Sequence, residues 1–178
     1  MITMVGTVSF KTYVGKLYLK QKTEMIMKIE TLRDVIHWAR TVHLKLSNSL
    51  SESQDNTVDE RAKLVLSYLS GYEKKLAAVV GGFEEKGNER ALNTWCIDYI
   101  TTFKRDNGEF SDTSFDDLNT QEIIAAVVEH HQYLLSLFNF LATQSVTSPT
   151  KELMESLSSF EEHETMKMVQ ATNRFDDM

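Results

Sequence analysis

The chain has 178 residues and a formal charge of −7, with a pI near 5.2, which argues against nucleic acid or anionic lipid as its main partner. With 42% hydrophobic and 25% charged residues it reads as one globular domain able to bury a core, and one proline with seven glycines leaves room for long helices. Cys96 is the sole cysteine, which excludes an intrachain disulfide framework or a thiolate cluster.

Residues 1–26 stand apart. Val8, Phe10, Thr12 and Val14 alternate with polar neighbours, and Gly15-Lys16 can turn the chain toward Leu17 and Leu19, a weak hairpin signal. Lys11, Lys16, Lys20 and Lys22 against Glu24 give this segment +3 and leave −10 for the rest. An isolated hairpin is marginal in water, so 1–26 is expected as an extension, loosely paired or disordered, ahead of a four-helix-bundle domain over 27–178. The start lacks the apolar core of a signal peptide, and no run reaches the ~20 apolar residues of a membrane span. A cytoplasmic protein is expected.

The first long helix is predicted from about Ile29 to Glu52, with Ile29, Leu32, Ile36, Ala39, His43, Leu46 and Leu50 on one face. Ser51 to Asn56 reads as a polar turn. Thr57 with Glu60 has the form of a capping box for the second helix. That helix carries Ala62, Leu66, Leu69, Glu73, Leu76, Val80 and Phe83; Gly81 and Gly82 weaken its end and Gly87 closes it. Residues 88–118 form a long connection in which Asn88 caps a shorter helix bearing Leu92, Trp95, Tyr99 and Phe103. Trp95 and Tyr99 are expected to pin that helix to the bundle. Asp106-Asn107-Gly108 ends it.

Asn119, with Glu122 three residues on, caps the third long helix, whose seam is Ile124, Val127, His131, Leu134, Phe138 and Leu141. A second stripe, Ile123, Val127, His130, Leu137 and Leu141, makes this helix apolar on two sides. It is then covered by the crossover helix or by a second copy, and a homodimer through it is expected. Ser148-Pro149 starts the fourth long helix, with Met154, Leu157, Glu161, Glu164, Met168, Ala171 and Phe175 on one face. Two short loops and one long one give two antiparallel hairpins joined by a crossover, hence an all-α, up-down-down-up four-helix bundle.

Each seam contains a polar interruption. The first helix offers His43 and, off the main seam, His37. The second offers Glu73, the third His130 and His131, and the fourth Glu161, Glu162, His163 and Glu164. A buried, unpaired carboxylate costs several kcal/mol, so Glu73 must be partnered, neutral or tilted to solvent. Pairing the last two helices across Ser145–Ser148 sets His130 and His131 level with Glu161 and Glu162. Pairing the first two across Ser53–Asn56 sets Glu73 level with His37 and leaves His43 offset by roughly 10 Å. The candidate metal ligands are therefore Glu73, His131, Glu161, Glu162, His37 and His130.

The stretches Glu60-Arg61-Ala62 through Tyr68-Leu69-Ser70-Gly71-Tyr72-Glu73 and Phe160-Glu161-Glu162-His163-Glu164 resemble the second and fourth helices of rubrerythrin-like and other ferritin-like proteins. The resemblance spans about residues 28–176. It implies a ferritin-like bundle with metal ligands at Glu73 and at Glu161 or Glu162. The di-iron site of that family takes a glutamate from each of two helices and Glu-x-x-His from each of the other two. Here Leu76 follows Glu73 at the third position, Glu164 follows Glu161 and Thr165 follows Glu162. Two readings result: an atypical histidine and carboxylate site for iron or manganese, open to oxygen or peroxide chemistry, or a metal-free bundle that binds a protein partner.

Overall fold

The computed structural model describes residues 29–108, 110 and 113–173; the extension expected over 1–26 and Phe175 of the last seam lie outside them. In chain order the helices are α1 (Leu32–Asn56), α2 (Glu60–Lys86), α3 (Glu89–Leu92), α4 (Ile97–Asn107), α5 (Thr120–Gln144) and α6 (Ser148–Thr172). Two of the long helices open on reciprocal caps, which satisfy backbone donors that a helix leaves unpaired at its start. Thr31 and Asp34 close one at α1, which begins at Leu32 and not at Ile29, and Asn119 and Glu122 close the other at α5, the latter as the spacing predicts.

The first hairpin departs from expectation. Residues Ser51 to Asn56 do not form a turn but continue α1. Ser53 is buried there, and the Asn56 amide donates to Asp116 at 3.2 Å, so tertiary contacts override weak helix formers. Thr57 therefore closes α1 instead of opening α2. Asp59 caps α2, its carboxylate accepting from the Arg61 and Ala62 N–H groups. Gly81 and Gly82 lie inside the helix, which Gly87 closes through an N–H bond to the Phe83 carbonyl. The second hairpin turns at Ser145–Thr147, with Thr147 as the cap residue of α6.

Contacts between helices fix the topology. Along α1, Trp38 meets Tyr133 of α5, His43 meets His131, and Asn56 reaches Asp116, just ahead of α5. Sequence numbers rise on one helix as they fall on the other, so α1 and α5 are antiparallel. Tyr72 with Glu164 and Phe83 with Phe160 place α2 antiparallel to α6. The order is up-down-down-up, with residues 87–119 as the crossover.

The crossover is tied down mainly by backbone and aliphatic contacts. The Leu32 N–H donates to Thr94 O, and the Cys96 N–H to Glu30 O, an isolated antiparallel bridge. Trp95 is 56% exposed and does not act as a pin; Leu92, Ile100 and Phe103 are the buried anchors. Phe103 packs edge-on against Tyr133 and beside Phe140 of α5. With Phe110 against His130 and Phe115 in the same core, the crossover covers the second apolar stripe of α5, and its burial needs no second copy. No helix among the described residues is long and apolar enough to cross a membrane.

The two hairpins match position for position. Thr120 lies 88 positions after Leu32, Gln144 88 after Asn56, and Ser148 88 after Glu60. The same shift carries cap Thr31 to cap Asn119, and Asp34 to Glu122. It also carries Val58 and His43 to Val146 and His131, and Glu73 to Glu161.

Close approach at the end of α2 can be tested. A Cβ on Gly87 would stand 2.6 Å from the Phe83 carbonyl oxygen, whereas one on Gly82 meets nothing within 4 Å. Gly87→Ala is expected to destabilise the protein by about 1–3 kcal/mol and Gly82→Ala to stabilise it by about 0.5–1 kcal/mol, both read from urea unfolding.

Candidate metal centre

One residue from each long helix meets at mid-height. With the first turn centred on Val58, His43 lies fifteen positions before it and Glu73 fifteen after. His131 and Glu161 stand in the same relation to Val146. Extending α1 through Asn56 moved the hairpin turn along the chain, so Glu73 faces His43 and not His37. All four side chains are sealed from solvent.

They form a ring in which histidine and glutamate alternate. His43 Nδ1 lies 2.8 Å from Glu73 Oε2, His131 Nε2 2.9 Å from Glu73 Oε1, and His131 Nδ1 2.5 Å from Glu161 Oε1. The fourth side is open. His43 Nε2 and Glu161 Oε2 stand 3.6 Å apart, beyond a hydrogen bond, and both are buried without a hydrogen-bond partner. The arrangement follows the match between hairpins, since each histidine addresses the glutamate of its own hairpin through Nδ1 and the other through Nε2.

Burial alone would raise both carboxyls and lower both imidazoles. Opposite charges at contact distance reverse this. Against burial, the charge and hydrogen bonds of His131, with those of His43, hold Glu73 down at about 2. Glu161 is held at about 2 by hydrogen bonding to His131 and by the nearby His43. His131 is pushed up to about 10, the Glu73 charge outweighing burial. His43 is raised by the two carboxylates beside it, again against burial. Without an ion both glutamates are held as carboxylates and both imidazoles are pushed toward their protonated forms, which would make the ring neutral in sum.

Of the residues singled out in the sequence, Glu73, His131 and Glu161 reach this ring. Glu162 does not: one residue past Glu161 it turns ~100° around the helix and is exposed. His130 also points away from the ring but stays buried, packing against Phe110, with its Nδ1 2.6 Å from the Ala126 carbonyl. His37 is half exposed and pairs with Glu84 at 3.3 Å. The fourth member, His43, was visible on the first seam but was set at the wrong height by a turn placed too early.

Outside the ring, the Tyr72 hydroxyl donates to Glu164 Oε2 at 2.7 Å. Ser47 and Ser70 exchange bonds to each other's carbonyls at 2.9 and 2.8 Å, clamping α1 to α2. A cavity of about 400 Å³ lies beside α1 and α5, and its wall includes Val42 and His130, the residues just before His43 and His131.

No family model matches this chain, and no curated protein matches it. A crystal structure from Thermotoga maritima, provisionally described as a ferritin-like diiron-carboxylate protein, is similar with a TM-score of 0.48 at 12% identity, covering 80% of this chain and 95% of that one. The likeness is too distant to carry residues or chemistry across, and the bundle topology stands on contacts between its own helices.

Two outcomes test the ring in metal-free protein. The carboxylates contribute stability that is present above their ordinary 4.5 and lost as pH falls toward about 2. The His131 contribution is full below 6.5 and lost as pH rises toward about 10. Thermal melting should therefore peak between about 4.5 and 6.5 and decline on both sides. Glu73→Ala removes the carboxylate that both buried histidines face and should cost about 3–5 kcal/mol; a loss under 1 kcal/mol in urea would mean that Glu73 is not paired with them as an ion.

Proposed function

We propose that this chain is a metal-binding helical bundle whose ring of His43, Glu73, His131 and Glu161 takes up iron or manganese. The observation that supports this is the open side of the ring. Two buried atoms with metal-ligand chemistry, His43 Nε2 and Glu161 Oε2, face each other without partners. Their 3.6 Å separation is within the span that two ~2.1 Å bonds to a shared ion bridge. One ligand atom from each of His43, His131 and Glu161 can be chosen so that all lie within 4.8 Å of one another. Imidazole with carboxylate suits iron or manganese over a soft-metal site. When bound, such an ion supplies a Lewis-acidic or redox-active centre. The protein's part is to fix the ligands, hold their protons in place and keep bulk water out.

A second reading is supported by the three closed sides of the same ring. They satisfy most of its polar atoms without an ion, as a metal-free bundle that binds a protein partner would require. Protein purified without tag or chelator, and assayed by elemental analysis, separates the two. One or two equivalents of iron or manganese per chain are expected. No bound metal, even after anaerobic incubation with ferrous iron, would leave the metal-free reading.

A further inference from the structure

The ring is nearly symmetric in composition but not in contact, and the asymmetry sorts its members into roles. Glu73 has both oxygens engaged, Oε2 with His43 Nδ1 at 2.8 Å and Oε1 with His131 Nε2 at 2.9 Å. Each histidine thus has one ring nitrogen committed to Glu73. The other nitrogens, His43 Nε2 and His131 Nδ1, face Glu161 at 3.6 and 2.5 Å. The unpartnered atoms belong to His43 and Glu161. Glu73 does not join the group whose ligand atoms lie within 4.8 Å of one another.

We propose that the centre holds a single divalent ion on the Glu161 side, ligated by His43 Nε2, His131 Nδ1 and the Glu161 carboxylate, and that Glu73 is not a ligand but the group that positions both histidines. The assignment rests on the metal-binding reading above and adds its nuclearity and ligand set. Ligating histidines characteristically donate their second ring N–H to a carboxylate, which fixes the tautomer and the ring plane. Glu73 does this for two imidazoles at once, one on each oxygen. For the ion to bind, His43 Nε2 and His131 Nδ1 would each give up to solvent any proton they carry, while His43 Nδ1–H and His131 Nε2–H stay on the Glu73 oxygens. Two histidines and one carboxylate on one side of an ion leave coordination positions for an exogenous ligand.

Charge limits the count. Two carboxylates and two neutral imidazoles balance one divalent ion. A second ion would leave two uncompensated positive charges in a buried layer, and the positions three residues after Glu73 and Glu161 hold Leu76, which cannot ligate, and Glu164, whose carboxylate is engaged by Tyr72 and Lys167.

The test is anaerobic titration of metal-free wild type, Glu73→Gln and Glu161→Gln with cobalt(II), read by visible absorption and calorimetry. Wild type is expected to bind one cobalt per chain. E73Q should bind one with the same absorption bands and about 10–100-fold weaker affinity, while E161Q should lose stoichiometric binding. Two cobalt ions in wild type would overturn the inference and leave the metal-binding reading intact. So would loss of binding in E73Q as complete as in E161Q, which would make Glu73 a ligand. No binding by wild type would overturn both. If a glutamine variant does not fold, Glu73→Asp and Glu161→Asp keep the charge, and the same ordering of affinities is required.

Discussion

Four ionisable side chains buried at one level of a helical bundle tolerate little error in register. A carboxylate or imidazolium left alone in that layer would cost several kcal/mol, so each must find its two neighbours. A one-residue slip of any helix moves its polar group by 1.5 Å along the axis and by 100° around it, enough to break both sides of the ring that the group makes. The helix ends, the turns and the crossover can all be understood as devices that prevent that slip.

Equal hairpins accomplish much of this. Each has a three-residue turn centred on an exposed valine, Val58 or Val146, and each sets its histidine and glutamate equidistant from that turn. Reciprocal caps at Thr31 and Asn119 fix where α1 and α5 begin. The Ser47–Ser70 clamp locks the first hairpin just beyond the ring. Docking of one hairpin on the other then closes the ring, and the crossover covers α5 with Ile100, Phe103 and Phe115. Polar specificity is here a consequence of turn placement, and only secondarily of the side chains themselves.

Much of the architecture was legible in the sequence because it depends on local chemistry. Apolar spacing identified the four long helices, the Asn119–Glu122 cap marked the start of α5, and the loop lengths implied the up-down-down-up order. Polar residues on apolar seams marked Glu73, His131 and Glu161. The failures share one cause. Ser51 to Asn56 is rich in turn formers, yet it is helical, with Ser53 buried and Asn56 bonded to Asp116 of the distant acidic loop. This non-local effect shifted the first hairpin, promoted His37 and set His43 aside. Trp95 failed for a related reason: two backbone hydrogen bonds to Glu30 and Leu32 hold that segment, and the indole is not needed. A comparison of His43 with His131 and of Glu73 with Glu161, both 88 positions apart, would have placed the turn correctly.

That common offset also bears on ancestry. Neither hairpin alone contains a complete ring; each carries one imidazole and one carboxylate, in matching places. Two identical hairpins meeting face to face would complete the site by symmetry. Duplication of such a unit, with the stretch between α2 and α5 as the covalent bridge, accounts for a site that is written in halves. The two contacts that cross between the hairpins are unequal, 2.9 Å for His131 with Glu73 and 3.6 Å for His43 with Glu161, so the halves match in composition and not in closure.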